Sequence, residues 1–296
     1  MMKKLELNDF SLTYDVEGKG SDVLLLHGFP SNIYFWNSLK NKLLKNYRVT
    51  TVEQRGYPLS SLKYPKENLF NIEYLSTDIE NLINHESLNN DLVIVGHDWG
   101  SIVGWAIASR AEVSVAKLVS ICGGTEFPLS KVYKNLQFHK GDHYISTFQN
   151  VHYASKILEK NLDMFFRSSY RVTPTDINIV DLSFKSLFMN EDDSSLVHDI
   201  DLKAIINHFK TGLSQQIYWY ANIDYNSELS NKWRRKLDIP VDFLFGKNDI
   251  AVQLNTKMRE RIHLSGEFIK IIELINADHW LPLTHEESVI ESITDI

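Results

Sequence analysis

Three runs in this chain leave almost no polar face for water: Val23-Leu24-Leu25-Leu26, Leu92-Val93-Ile94-Val95 and Leu118-Val119-Ser120-Ile121. A strand that is apolar on both faces needs cover on both faces, as in a parallel sheet held between layers of helices. The intervening segments supply those layers. Leu39 to Leu44, Leu75 to Leu82 and Ser101 to Ala108 carry apolar residues at helical spacing. Tyr47-Arg48-Val49-Thr50-Thr51-Val52 adds a β-rich strand, stopped by Gly56. Strands alternating with helices predict βαβ units and an α/β fold with a mostly parallel sheet flanked by helices. Ahead of them, residues 4–16 alternate apolar and polar about Asn8-Asp9, which predicts a short hairpin.

The strand pattern fades after residue 124 and resumes near 240. Val241-Asp242-Phe243-Leu244-Phe245 and Ile269-Lys270-Ile271-Ile272-Glu273-Leu274 read as strands, and Glu286 to Ile293 as a terminal helix. Residues 125–235 are helical in pattern and rich in aromatics, among them Tyr144, Phe148, Phe165, Phe166, Tyr218, Trp219 and Tyr220. The expected organisation is one core domain formed by residues 1–124 and 236–296, with a helical cap of residues 125–235 inserted into it. A length of 296 residues suits that arrangement, at roughly 150 residues per domain.

Composition narrows the functional classes. At 43% apolar and 23% charged, the chain has enough apolar material for a core and too much for disorder. No stretch approaches the ~20 apolar residues of a membrane span. The opening MMKKLELNDF has no apolar run behind its lysines, so it does not read as a secretory signal. The one cysteine, Cys122, excludes an intrachain disulfide and cysteine-based zinc spacings. No H-E-x-x-H spacing occurs, so neither metal nor other cofactor is expected. A net charge of −7 without a basic stretch argues against nucleic acid. The expectation is a cytoplasmic protein, monomer or homodimer, with a small-molecule partner.

The sharpest motif is Gly96-His97-Asp98-Trp99-Gly100, between a buried strand and a helix. It has the form of a nucleophile elbow, G-x-S-x-G, with aspartate at the centre. Glycine is needed on either side because the strand turns sharply into the helix and a Cβ there would crowd the turn. The competing reading is an ordinary strand-to-helix turn with Asp98 as an N-cap. Further residues fall at the ends of predicted strands. His27-Gly28-Phe29-Pro30 follows the first apolar run, Asp249 follows Val241–Phe245, and His279 follows Ile269–Leu274. Asp278 is a rival acid, but it adjoins His279 in sequence.

Nucleophile, acid and histidine in that chain order are similar to the α/β-hydrolases. Within them the chain resembles the epoxide hydrolases: HGFP followed by Trp36, Arg55-Gly56-Tyr57 with Ser60-Ser61, and GHDWG all match. The resemblance covers most of the chain and is strongest over residues 22–124. It implies the α/β-hydrolase fold, with backbone N–H groups of Phe29 and Trp99 as oxyanion hole. It also implies two cap tyrosines. One lies in Tyr144-Ile145-Ser146-Thr147-Phe148-Gln149 and the other in Trp219-Tyr220-Ala221-Asn222. Glu53 replaces the usual Asp and Pro58 the usual Gly, both read as lying in a loop away from the reacting groups. His27, Pro30, Trp36, Phe148 and Trp280 are expected at the substrate pocket, and His143 on the surface.

Aspartate at the elbow points to attack on sp³ carbon. Serine would give an ether that water cannot readily cleave, whereas a carboxylate gives an ester that it can. Asp98 would form an alkyl ester, and His279, oriented by Asp249, would activate the water that hydrolyses it. An epoxide oxygen leaves still tied to the product and needs a donor. A phenol, with a pKa of about 10, donates while neutral; Tyr144 and Tyr220 are the candidates. The rival is a haloalkane or haloacid dehalogenase with the same Asp-His-Asp set. Against it, Phe29 occupies the usual halide-binding Asn position, Trp99 replaces the carboxylate-binding Arg, and Tyr144 stands in for a halide-binding Trp. A remoter rival is a ligand-binding protein that has kept the fold without catalysis, against which every reacting group is present.

Overall fold

A computed structural model describes residues 2–89, 91–124, 137–138, 141–170, 183–188, 196, 199–233, 236–249, 251 and 254–295. The strands are β1 (Lys3–Glu6), β2 (Ser11–Gly18), β3 (Ser21–Leu26), β4 (Tyr47–Glu53), β5 (Val93–His97) and β6 (Lys117–Ile121). A small ribbon, β7 (Gln137–Phe138) with β8 (Gly141–Asp142), stands apart, and β9 (Val241–Gly246) and β10 (Ile269–Leu274) complete the main sheet. That sheet has eight strands in the order β1-β2-β4-β3-β5-β6-β9-β10. The β1–β2 hairpin is antiparallel, β2 meets β4 antiparallel, and every later pairing is parallel.

The apolar runs lie where their sequence requires. Leu24, Leu25, Val93, Ile94, Leu118 and Val119 have no exposed surface. β10 differs: it is an edge strand with Lys270 and Glu273 exposed, which is why its sequence carries charge among the isoleucines.

The helices of the first half are α1 (Asn37–Leu43), α2 (Ile72–Glu86) and α3 (Trp99–Arg110). Asn71 caps α2 by accepting the N–H groups of Glu73 and Tyr74, and Ser87 ends it in the left-handed conformation. These ends lie outside the expected Leu75–Leu82 span because capping residues are not part of an apolar period. Helix α3 begins two residues before the expected Ser101 and packs on β5 and β6.

Between β6 and β9 the described elements are the β7–β8 ribbon and the helices α4 (Tyr144–Phe148), α5 (Val151–Lys160), α6 (Leu162–Ser169), α7 (Asp199–His208), α8 (Ser214–Ala221) and α9 (Ile223–Lys232), with short turns of 3₁₀-helix. After β9 come α10 (Thr256–Leu264), α11 (Leu281–Thr284) and α12 (Glu286–Thr294). Helices α8 and α9 dock on the sheet domain through polar side chains. Gln215 exchanges two hydrogen bonds with the backbone of Leu62, and the Trp219 indole donates to the Arg55 carbonyl. Asn222 donates to the Glu67 carbonyl, and Asn226 accepts the Ile72 N–H. Among the described residues no helix is long and apolar enough to cross a membrane.

Candidate active site

All the candidate groups of the sheet domain gather at the carboxyl ends of parallel strands. Asp98 follows β5, near the middle of the sheet, at φ 53° and ψ −120°. That backbone is sparsely populated for any residue with a Cβ. Although Asp98 precedes α3, its side chain makes no capping bond; one carboxylate oxygen instead accepts the Phe29 N–H at 2.8 Å. The elbow, not the N-cap, is the conformation adopted. Its glycines are sterically required. A Cβ on Gly28 would lie 2.3 Å from Asp98 Oδ1, one on Gly96 2.3 Å from the Gly100 carbonyl, and one on Gly100 2.0 Å from the Leu26 carbonyl.

The second carboxylate oxygen of Asp98 lies 3.9 Å from His279 Nε2. On the far side of the ring, Nδ1 lies 3.1 and 3.2 Å from the two oxygens of Asp249. Asp249 is buried at the end of β9 and also accepts the Ala251 N–H at 2.7 Å. Asp278, the rival acid, turns to accept the Trp280 N–H at 2.9 Å.

The electrostatics follow from this arrangement. Burial pushes the Asp98 carboxyl above its usual range, while His279 and the N–H groups of Phe29 and Trp99 pull it back. For His279, burial disfavours the imidazolium, but Asp249 and Asp98 outweigh it and lift the pKa to about 9. His97 Nε2–H donates to the His279 carbonyl at 2.8 Å and the ring packs 4.7 Å from that of His279, so it positions the histidine-bearing loop.

Tyr144 begins α4 and Tyr220 lies in α8, and Tyr220 packs beside the elbow. The Tyr220 ring lies 5.6 Å from that of Phe29, 5.1 Å from that of Trp99 and 6.1 Å from that of Tyr144. Burial raises the Tyr220 phenol well above its ordinary pKa and the Asp98 charge adds to this; a hydrogen bond from the Trp99 side chain opposes them. Tyr220 therefore stays a neutral donor. The flanking motif residues have structural roles. Gln149 donates to the carbonyls of Ile145 and Tyr220, tying the two tyrosine-bearing helices together, and Trp219 and Asn222 hold α8 to the sheet domain.

Other expected site residues lie at different depths. Phe148 packs edge-on against Tyr144 and Tyr220, at 5.4 and 4.9 Å. Trp280 donates to the Ser169 carbonyl and stacks on Tyr170, whose hydroxyl reaches the Pro30 carbonyl. His27 and Trp36 were expected at the pocket but have no exposed surface; the His27 ring accepts the Gln54 N–H and sits one layer behind the elbow. His143, expected on the surface, is buried: it caps α4 by accepting the Ile145 N–H and stacks on Tyr144. Burial lowers its pKa to about 4. Glu53 is not a loop residue. It ends β4, fully buried, accepting the Ile33 N–H and pairing with His208 of α7 at 2.5 Å. Sequence reasoning missed His208, which no motif marks, and read Tyr57 only as part of a motif; its hydroxyl donates to the Gly28 carbonyl beneath the elbow.

Residues 23–286 match the family model for the alpha/beta hydrolase fold, and the chain belongs to that family. Its similarities within the family run to epoxide hydrolases. It is 27% identical over 282 residues to the bifunctional epoxide hydrolase 2 of Sus scrofa, covering 89% of this chain and 49% of that protein. It is 27% identical to epoxide hydrolase 1 of Caenorhabditis elegans, covering 93% of this chain and 65% of the relative. The chain thus spans about half of the first relative's length and about two thirds of the second's. The crystal structure of epoxide hydrolase A from Mycobacterium thermoresistibile shares its fold, with a TM-score of 0.84 and 23% identity over 100% of this chain and 97% of that one.

Proposed function

We propose that the chain opens epoxides to vicinal diols through an alkyl ester on Asp98, with residues 125–235 serving as a cap that supplies two phenols. One observation carries this reading. Asp98 at the elbow has one oxygen on the Phe29 N–H and the other facing His279, and its charge acts on the Tyr220 phenol, whose ring lies 6.1 Å from that of Tyr144. The relatives that bear the name epoxide hydrolase support it.

In the first half-reaction an Asp98 oxygen attacks an epoxide carbon and the C–O bond of the ring breaks. The oxygen that leaves takes its hydrogen bonds, then a proton, from the tyrosine side. In the second, a water hydrogen-bonded to His279 attacks the ester carbonyl, and the Phe29 and Trp99 N–H groups hold the oxyanion. The steps are linked by charge. Asp98 is one of the three carboxylates that raise His279, with Asp249 and Asp278. Esterification removes that negative charge, so the imidazolium loses a stabilising partner, its pKa falls, and more of the histidine is deprotonated and free to take the proton of water in the step that follows.

The test is a single turnover with enzyme in excess in ¹⁸O-water, using a styrene-oxide-type epoxide. The expected diol is largely free of label, with label in the peptide containing Asp98. Labelled diol and unlabelled peptide would replace this mechanism by direct attack of a His279-activated water. Halide release from a haloalkane without epoxide opening would replace the substrate class with that of the dehalogenases.

A further inference from the structure

We propose that His97, Cys122 and His279 form an inhibitory site for a thiophilic divalent cation, zinc or cadmium, that captures the catalytic histidine. The three residues each present a ligand atom, and these atoms lie within 4.8 Å of one another. A tetrahedral zinc with bonds of about 2.0–2.3 Å holds its ligands roughly 3.5 Å apart, so side-chain shifts of about 1 Å close the set. One thiol with two imidazoles is a donor set that selects zinc and its heavier congeners over magnesium or calcium.

Each member has capacity to spare. His97 uses Nε2 on the His279 carbonyl, while Nδ1 is buried without a hydrogen-bond partner. An orphaned buried nitrogen calls for an explanation, and a ligand supplies one. Cys122 is a free, buried thiol at the end of β6, 4.0 Å from the Asp278 carbonyl. Its thiol also interacts with Asp249, the carboxylate that orients His279. His279 is the one member reached from the substrate side, its side chain 11% exposed. On binding, the Cys122 S–H bond breaks, an Sγ–metal bond forms and the proton leaves to solvent. A metal on His279 occupies the nitrogen lone pair that ester hydrolysis needs.

The inhibition arm of the test rests on the proposed hydrolase activity; the binding arm does not. Cadmium is titrated into the full chain while the ultraviolet sulfur-to-cadmium charge-transfer absorption is followed. The expected band saturates at one equivalent and is missing from Cys122→Ser and Cys122→Ala. Zinc is then added to epoxide-hydrolysis assays, with each protein compared to its own metal-free rate. Both variants are expected to need at least tenfold more zinc for half inhibition. A wild-type protein without the band, or variants inhibited at the wild-type zinc concentration, would overturn the site. A band without measurable epoxide turnover would uphold it and count instead against the hydrolase reading.

Discussion

At the level of single residues, the candidate site groups were legible because each follows the end of a strand, and Asp98 sits between two glycines. The elbow glycines, His27-Gly28 and the acid and histidine at late strand ends are all chain-local patterns. Depth was not legible. His143 and His27 look alike in sequence to any surface histidine, and only packing against Tyr144 and Tyr57 makes them buried. The donor assignment predicts that Tyr144→Phe and Tyr220→Phe each slow Asp98 alkylation, and that the double variant nearly abolishes it. Loss of one donor to a developing oxyanion costs ~10²–10³ in rate, and two donors sharing the load put each single loss at the low end. Rapid-quench single turnovers measure this directly; an unchanged double variant would remove both tyrosines from the reaction.

His279 carries a second prediction. Its folded pKa of about 9 lies above the ordinary histidine value of about 6.5, so the folded state holds a proton that the unfolded chain gives up. The stability this contributes is fully present below about pH 6.5 and is lost as the pH rises toward about 9. Thermal melts of the wild type should fall across that window more steeply than those of His279→Gln. The same variant mixed with an epoxide should accumulate protein heavier by one substrate, because the ester forms and cannot be hydrolysed.

Among the elements, strands were read almost to the residue because an apolar run has the length of the strand it makes. Helices α2 and α3 were read short, since Asn71, Ser87 and Asp98 set their ends through backbone chemistry that carries no apolar signal. The pairing of α4 with α8 could not be read at all: 71 residues separate Gln149 from the Tyr220 carbonyl it binds. Gln149→Ala should cost about 1 kcal/mol of positioning, seen as alkylation slowed by roughly fivefold to tenfold with ester hydrolysis unchanged. Equal slowing of both half-reactions would show a general loss of structure instead.

For the molecule as a whole, the buried Glu53–His208 pair joins the sheet domain to the inserted helices, and it was invisible in sequence because 155 residues separate the partners. His208→Ala leaves the Glu53 carboxyl buried with the Ile33 N–H as a remaining partner. An unmet buried group of this kind costs about 1–3 kcal/mol, more when charged. Urea unfolding should show that loss, and Glu53→Gln combined with His208→Ala should recover part of it. If His208→Ala unfolds like the wild type, the pair contributes nothing to joining the two parts.

The fastening of α8 and α9 has a wider consequence. Gln215, Trp219, Asn222 and Asn226 all grip backbone atoms, at Leu62, Arg55, Glu67 and Ile72, and not side chains. The socket is therefore written in the shape of the main chain and is indifferent to what the sheet domain carries at those four positions. Insertions with the same four plugs are interchangeable tool heads: a chimera that keeps them should seat on this chassis, exchanging the walls around the substrate while Asp98, Asp249 and His279 stay as they are.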